Sequence, residues 1–454
     1  MRHLQPTTLP WRRPRHELVL LALVAAVALT PVRIVSAQDT SRLCLTEALT
    51  HGNVEVQASC IQGNFDRALR GGRLYSDKAP GMSVLAIPAA AIVQMAPPPH
   101  WRRSGDLGLW VVRILGSGVA FLLSALLVGR VAEGLAPGWG GAALVAFGLG
   151  TLAAPFAATT FDHVTAGALG FGAFLLASKR RAELAGLVAG TAVAFEYQAA
   201  LIAIVVAGYV ALRGRRALLR FVVAALPPLA LLGAYQWAAF GSPFRTPYRY
   251  IANKYTADQA SGFFGIHLPR VHAVYEVLIG HGGLLVISPV VAAAAAGLIM
   301  LSARHRAEAL VCATVTLLFL VLSFGYFLPY GGLSPGPRFV IPALPFLAVG
   351  LAPAFSRLPR PTALLTALSV VAMTAITFTW SGGPVYRETI WGELVRVPPQ
   401  LGSSRLAESM AKTPLAWLIS NRLVATPIIA LLALAALSLA LNDARQTAAP
   451  DRPA

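Results

Sequence analysis

The chain has 454 residues, of which 56% are hydrophobic and 12% are charged, and its mean hydropathy is +0.65. Soluble domains carry about 25% charged residues, and the apolar residues here form runs of roughly 15 to 23, close to the length that crosses a bilayer. Composition therefore excludes an ordinary soluble protein and predicts an all-α protein that crosses a membrane many times.

The net charge of +18 would indicate nucleic acid in a soluble protein. Here the arginines cluster between apolar segments, where they orient helices and contact anionic lipid headgroups. We therefore predict a lipid bilayer, and no nucleic acid, as the partner of these charges. The sequence contains no P-loop, no dinucleotide fingerprint and no zinc-type cysteine spacing, so no cofactor and no metal site are predicted.

The N-terminal segment 11–39 has a basic flank and an apolar core, which fit either a cleaved signal peptide or an uncleaved first span. The many later apolar segments favour the span. Eleven further candidate spans follow, at 106–128, 140–158, 164–178, 184–196, 198–212, 218–238, 284–303, 308–328, 339–355, 362–380 and 423–441.

Segment 81–97 decides the topology because counting it as a span would move every later loop to the other side. The basic clusters 179–181, 213–216 and 304–306 would then face outward, against the positive-inside rule. We therefore predict that 81–97 lies at the outer face, which leaves about twelve spans and both termini in the cytoplasm. A plasma (inner) membrane location follows from this orientation.

This topology predicts a first external loop at 38–105, containing amphipathic or juxtamembrane helices, and later external loops at 241–283 and 381–422. We divide the chain at residue 240 into two transmembrane regions, 1–240 and 241–454, of which the family resemblance described below implies that the first is the catalytic core and the second is variable. Cys44 and Cys60 share the first loop, so an oxidising compartment would permit a disulfide between them.

Ionisable residues at a membrane boundary are costly and mark candidate sites. Asp39 begins an apolar-striped helix in "DTSRLCLTEAL", where it either caps the helix, with Thr40 and Ser41 as rival caps, or acts as a general base. In "LYSDKAPG", Pro80 favours an extended residue before it, so a turn presents Lys78. Its ammonium suits a phosphate, unless a neighbouring carboxylate pairs with it.

Other candidates come from the outer ends of predicted spans. Asp162 and His163 occupy a short external turn, as a helix cap or as polar groups of the same site. Arg113 and Arg338 each stand where an arginine can contact phosphate or form a salt bridge.

Two stretches together, "DTSRLCLTEALTHGNVEV" and "GGRLYSDKAPGMSVLAIPA", resemble the first external loop of the C-type (GT-C) glycosyltransferases. The resemblance is to the aminoarabinose transferase and protein O-mannosyltransferase group, in which an acidic residue and an arginine-bearing helix precede a "Y-x-[DE]-K-P-P" motif. Further segments, "LWVVRILGSGVAFLLSALLVGR" and "TTFDHVTAGALGFGAFLLASKRR", are similar in order, so the resemblance covers residues 17–240.

This resemblance implies transfer of a sugar, with inversion, from a polyprenyl-phosphate donor to an acceptor on the outer face. The acceptor would be an envelope glycan, lipid or protein. Asp39 would be the base. A threonine follows Asp39 where several members have a second acid, so the base would be either shared with Asp162 or weaker. The remaining implied roles are phosphate binding by Lys78, Arg113 and Arg338, and substrate binding by Arg42, Tyr75, Asp77 and His163.

Two other functions use the same basic outer surface without sugar transfer. One is a transporter or flippase of a lipid-linked or anionic solute, although the two halves of the sequence show no clear symmetry. The other is a non-catalytic relative of the GT-C enzymes.

Overall fold

The computed structural model describes residues 14–29, 35–93, 107–379 and 422–448. In this part of the chain the structure is almost entirely helical. The helices before residue 241 are α1 (Pro14–Ala28), α2 (Ala37–Thr50), α3 (Ala58–Ile61), α4 (Gly81–Val93), α5 (Leu107–Arg113), α6 (Val119–Leu135), α7 (Gly140–Gly150), α8 (Ala153–Phe156), α9 (His163–Ser178), α10 (Ala182–Phe195), α11 (Ala200–Ala211) and α12 (Arg215–Phe240). The later helices are α13 (Thr256–Ala260), α14 (Val271–Ile279), α15 (Leu284–Ile287), α16 (Val290–Ser302), α17 (Arg306–Gly325), α18 (Leu344–Ala348), α19 (Leu351–Arg357), α20 (Pro359–Thr379) and α21 (Arg422–Ala448).

Several of these helices are long and apolar enough to cross a membrane, which agrees with the predicted helical membrane protein. Within the described ranges there are four such helices, or six if each of two bent pairs is counted as one span. Others, such as α7 and α10, are shorter than 18 residues and reach less than about 27 Å at about 1.5 Å per residue, against about 30 Å of hydrocarbon. The structure therefore does not confirm a count of twelve spans, which stays a prediction.

One large hydrophobic core joins the helices. It is built from buried side chains of helices on both sides of residue 240, including Phe174 of α9 and Phe346 of α18, whose ring centroids are 5.8 Å apart. Glu17 of α1 adds an ion pair to Arg130 of α6 at 2.9 Å. The regions predicted as 1–240 and 241–454 thus share one core, and the functional division between them stays a prediction.

Glycines allow the closest helix contacts, as small residues do in membrane proteins. Gly186 of α10 lies against the backbone of α12, where an added Cβ would overlap the carbonyl oxygen of Phe221. In contrast, a Cβ at Gly172 of α9 would meet nothing within 4 Å. The two positions form a matched pair for testing the packing.

We expect Gly186→Ala to lower the thermal unfolding midpoint, because inserting a methyl group into a closed contact costs about 1–3 kcal/mol. Gly172→Ala should leave the midpoint unchanged or raise it slightly, because alanine favours the helix. Thermal unfolding of both variants in the same detergent measures the difference. Equal midpoints would contradict the close contact between α10 and α12.

The predicted first external loop contains a feature that the all-helical prediction missed. Strands β1 (Ala68–Arg70) and β2 (Arg73–Tyr75) pair as an antiparallel hairpin. The turn residues Gly71 and Gly72 have φ values of +57° and +78°, which glycine adopts readily and which two-residue hairpin turns require. The "RGGR" stretch was the available signal for this hairpin.

Helix α2 does not lie along a membrane face as an amphipathic helix, which corrects the prediction for this part of the loop. Both its apolar and its polar sides are buried in protein, as Leu45 and Arg42 illustrate. Helix α4, the described part of segment 81–97, has only 13 residues. Residues 94–105 of the first loop, and residues 381–421 of the last predicted loop, lie outside the described part of the chain.

Candidate active site

Helix α2 brings the first acidic candidate into the protein interior. Ser36 is the N-cap, and it forms a capping box with Asp39: the Ser36 side chain accepts from the Asp39 N–H, and the Asp39 carboxylate accepts from the Ser36 N–H at 2.8 Å. This reciprocal arrangement is a common way to begin a helix. Asp39, Thr40 and Ser41 were therefore wrongly predicted as the N-cap.

The Asp39 carboxylate is buried and saturated with donors. Its Oδ2 accepts from Arg113 Nη2 at 2.8 Å and from the Ser36 hydroxyl at 2.7 Å, and its Oδ1 accepts from the Thr160 hydroxyl at 2.7 Å. Burial alone would raise the pKa of Asp39, but Arg113 and the two hydroxyls outweigh it and lower the pKa to about 2. Asp39 is thus an ionised anchor that joins α2 to α5 and to the loop before α9.

Arg42, one turn further along α2, forms a second buried ion pair. Its Nη2 lies 2.6 Å from Oδ2 of Asp162, and both side chains are 2% exposed. The other oxygen of Asp162, Oδ1, is buried without a hydrogen-bond partner. Asp162 occupies the N-cap position of α9 but makes no side-chain cap.

The environment of Asp162 is suited to proton exchange. Burial raises the pKa of Asp162 to about 6, and the nearby Glu196 carboxylate adds to this while Arg42 opposes it. A carboxylate with a pKa near the working pH is suited to general base catalysis, and the buried Oδ1 of Asp162 lies 3.8 Å from His163 Nδ1 without a hydrogen bond. Asp162 is thus better prepared to accept a proton than Asp39 is.

His163 and Glu196 complete a buried cluster beside Asp162. His163 Nδ1 lies 2.7 Å from Glu196 Oε2, and ligand atoms of Asp162, His163 and Glu196 lie within 4.8 Å of one another. These three residues can hold a divalent cation, a combination that the sequence did not predict. Without a cation, the ion pair between Arg42 and Asp162 balances one of the two carboxylates of this cluster.

Lys78 is paired with carboxylates in the turn after β2. Its Nζ lies 3.0 Å from Asp77 and 3.4 Å from Asp66, and Asp77 also accepts from the Ser41 hydroxyl at 3.3 Å. Burial raises the pKa of Asp77 to about 6 in spite of Lys78. Tyr75 is buried against Phe240, with 5.3 Å between ring centroids, so Tyr75 contributes to packing.

Arg338 differs from the other cations because no salt bridge to it occurs among the described residues. Its guanidinium stacks near the rings of Phe161 and Phe339, at 5.3 and 5.7 Å from their centroids. Its Nε is buried without a hydrogen-bond partner, while Asp66 and Glu196 act on it through space. Arg338 is thus a largely buried positive charge beside the acidic cluster.

The structure therefore gathers most of the predicted residues around the start of α9. The predicted acidic residues mainly form ion pairs with the predicted arginines, as Asp39 does with Arg113 and Asp162 with Arg42. Tyr75 instead packs into a neighbouring hydrophobic core. Asp66 and Thr160 were missed by sequence reasoning. Thr160 lies two residues before Asp162, and no local pattern singled out Asp66.

A disulfide links α2 to the short helix that follows it in the chain. Cys44 and Cys60 are bonded, with 5.8 Å between their Cα atoms, and they belong to a small core beneath the hairpin. The bond links the helix that carries Asp39 and Arg42 to α3. It thereby restrains the two ion pairs of α2.

Cys60→Ser should lower the thermal unfolding midpoint, because closing a loop of this size contributes about 3 kcal/mol. A reductant should lower the midpoint of the wild-type protein to the same value and leave the variant unchanged. Scans with and without reductant measure both effects. If the reductant makes the thiols of the wild-type protein titratable but leaves its unfolding midpoint unchanged, the disulfide does not stabilise the fold.

No protein-family model and no curated protein matches the chain in sequence. Among solved structures, ArnT from Cupriavidus metallidurans in the apo state is similar, with a TM-score of 0.50 and 15% identity over 95% of this chain and 76% of that one. The same protein bound to undecaprenyl phosphate gives a TM-score of 0.48 at 15% identity, covering 97% and 81% of the two chains. The Archaeoglobus fulgidus oligosaccharyltransferase gives 0.48 at 12% identity, covering 88% of this chain and 60% of that one.

The chain has a GT-C fold. ArnT, whose apo structure gives the TM-score of 0.50, is a GT-C glycosyltransferase and an aminoarabinose transferase. The resemblance to the aminoarabinose transferases that the first external loop predicted is confirmed for the fold. At these identities the GT-C fold is what the comparison establishes, and the activity rests on the site.

Proposed function

We propose that the chain is a GT-C glycosyltransferase that moves a sugar from a polyprenyl-phosphate donor to an acceptor hydroxyl at the outer face of the membrane. The acceptor is an envelope glycan, lipid or protein, the membrane is the plasma (inner) membrane, and both termini lie in the cytoplasm. The donor class is supported by the charge arrangement of the site, and the membrane setting is supported by the apolar helices.

The observation that carries this proposal is that Arg338 is largely buried and forms no salt bridge among the described residues. A buried charge without a partner is costly, and such a group in a protein interior marks a function. Guanidinium groups bind phosphate through paired, charge-assisted hydrogen bonds. Arg338 therefore supports a bound anion, and the phosphate of a lipid-linked sugar is such an anion.

Lys78 supplies the second positive charge at this phosphate. Its carboxylate neighbour Asp66, 3.4 Å away, also acts on Arg338, so the two cations flank one acidic group. A phosphate between them would compete with Asp66 for Lys78. Such competition couples donor binding to a rearrangement of the turn that carries Lys78.

The proposed reaction is a single displacement. The acceptor oxygen attacks the anomeric carbon and forms the new glycosidic bond, while the bond from that carbon to the phosphate oxygen breaks. The acceptor proton passes to the base, and the electron pair leaves with the polyprenyl phosphate. Attack from the opposite face inverts the anomeric centre, and Arg338 and Lys78 stabilise the charge that develops on the phosphate.

Asp162 is the base that we favour, since its Oδ1 has no donor. Arg42 holds its other oxygen at 2.6 Å and so orients it. Asp39 is the alternative base, but it would first have to give up bonds from Arg113 and Thr160. In this scheme Arg113 and Asp39 position α2, whereas Asp77 and His163 shape the polar wall of the substrate site.

Reconstituted protein, incubated with labelled polyprenyl-phosphate sugars and an envelope acceptor extract, tests this function. We expect donor consumption with formation of a glycosylated product whose anomeric configuration is opposite to that of the donor. A protein that binds these donors but never cleaves them, and instead moves them across the vesicle bilayer, would establish the transporter alternative.

A further inference from the structure

Helix α14 has an apolar face that the described part of the chain leaves uncovered. Val271, Tyr275 and Ile279, which succeed each other at four-residue spacing, are 89%, 60% and 56% exposed. At about 100° per residue, these three side chains and the partly exposed Val274 and Leu278 fall within an arc of about 140°. Such a continuous stripe is unlike the scattered apolar residues of ordinary surfaces.

The other two sides of α14 have different environments. Ala273 and Val277 are 2% and 0% exposed and face the protein, where α14 packs against α17. Between that side and the apolar stripe lie His272 and Glu276, whose side chains approach to 3.4 Å. The helix therefore has a protein side, a polar side and an apolar side.

The orientation of α14 relative to the neighbouring span identifies what covers the apolar side. Residues Val271–Ile287 and Val290–Ser302 are apolar enough together to be a span, but they are bent by 92° at the break between them. If α16, which is about 20 Å long at about 1.5 Å per residue, runs along the membrane normal inside the bilayer, the Val271–Ile287 segment that contains α14 lies nearly parallel to the membrane plane. Its apolar side is then continuous with the lipid-facing surface of the spans, as in interfacial helices.

We propose that α14 is an interfacial helix whose Val271–Tyr275–Ile279 stripe is inserted in the outer leaflet of the bilayer. The polar side with His272 and Glu276 then faces the headgroups and water. Tyr275 suits this position because aromatic rings with a polar end favour the membrane interface.

This helix is also connected to the segment that carries Arg338. Tyr330 donates its hydroxyl to the Glu276 carbonyl at 3.1 Å and accepts from the Gly282 N–H at 3.0 Å. Just before the helix, Arg270 donates to the Tyr326 carbonyl at 2.8 Å. Insertion of α14 would thus hold the 326–338 segment at a fixed depth relative to the lipid.

Nitroxide labels on single introduced cysteines test this insertion. Tyr275→Cys and Ile279→Cys carry the label on the apolar stripe, and His272→Cys is the matched control on the polar side of the same helix. The protein is reconstituted in vesicles of phosphatidylcholine and phosphatidylglycerol, and collision rates with oxygen and with a water-soluble nickel chelate are measured. Wild-type protein treated with the same label is a control, because it shows whether Cys312, the buried free cysteine of α17, also takes up the label.

We expect oxygen collisions to exceed nickel collisions at positions 275 and 279, and the ratio to reverse at 272. Two results would overturn the proposal. More nickel than oxygen collisions at both stripe positions would place the stripe in water. Protection from both reagents would mean that another protein segment, such as residues 380–421, covers it. Agreement between two stripe positions guards against a local disturbance by one substitution.

Discussion

An Arg338→Gln protein is expected to bind polyprenyl phosphate about 10- to 150-fold more weakly than the wild type, and to be no less stable without it. The loss corresponds to about 1.5–3 kcal/mol for hydrogen bonds to a charged group. Stability is retained because Arg338 has no ion pair among the described residues, so its removal leaves no carboxylate unpaired. Titration with polyprenyl phosphate, followed by ligand-induced thermal stabilisation, measures both quantities.

Arg113→Gln provides the control, because this arginine is also buried but lies 2.8 Å from Asp39. Breaking a buried pair by removing one partner costs about 3–5 kcal/mol, so the Arg113 variant should lose stability before any ligand is added. An Arg338 variant that is destabilised to the same extent would mean that Arg338 has a structural role, and the proposed phosphate contact would fail.

Asp162→Asn is expected to lower the rate of sugar transfer by about 10²–10⁴-fold, the usual contribution of a general base, while donor binding persists. The asparagine oxygen still accepts from Arg42, so the variant tests the loss of the proton acceptor. Asp258→Asn, an exposed aspartate of α13, is the control and should keep full activity. Transfer rates and donor affinity are measured on the same preparations.

Asp39→Asn separates the two candidate bases. If Asp162 is the base, the Asp39 variant should lose stability first, because Arg113 then lacks its anionic partner. A stable Asp39→Asn protein that binds donor and transfers no sugar, beside an active Asp162→Asn protein, would assign the base to Asp39.

The pH dependence of the rate follows from the same assignment. Because the base must be unprotonated and the pKa of Asp162 is raised to about 6, the rate should fall as the pH drops below about 6. The pKa of Asp77 is also raised to about 6, so the Asp77→Asn variant is needed for comparison. It should retain the acidic limb if protonation of Asp162 causes the limb, and should stay active without the limb if protonation of Asp77 causes it.

The sequence predicted well those features that depend on local patterns. Apolar runs predicted the helical membrane protein, and the motif containing Lys78 predicted the GT-C fold. The sequence also permitted the disulfide between Cys44 and Cys60, because both cysteines lie in the same predicted loop. These features need no knowledge of how distant segments meet.

The pairing of the charged residues could not be predicted in the same way. Asp39 and Arg113 are separated by 74 residues, and Arg42 and Asp162 by 120. Which oxygen of an aspartate is left without a donor depends on which arginine reaches that aspartate, and the tertiary fold decides this. For the same reason, the sequence did not single out Arg338 as a cation that forms no salt bridge among the described residues.

The disulfide has a consequence for the order in which the molecule matures. Disulfides form in oxidising compartments, over seconds to hours, whereas helices form within microseconds. If the first loop faces outward as predicted, it must leave the cytoplasm before Cys44 and Cys60 can join. A newly made chain would then carry a loosely held α2 until oxidation, and the proposed site would be completed only after export.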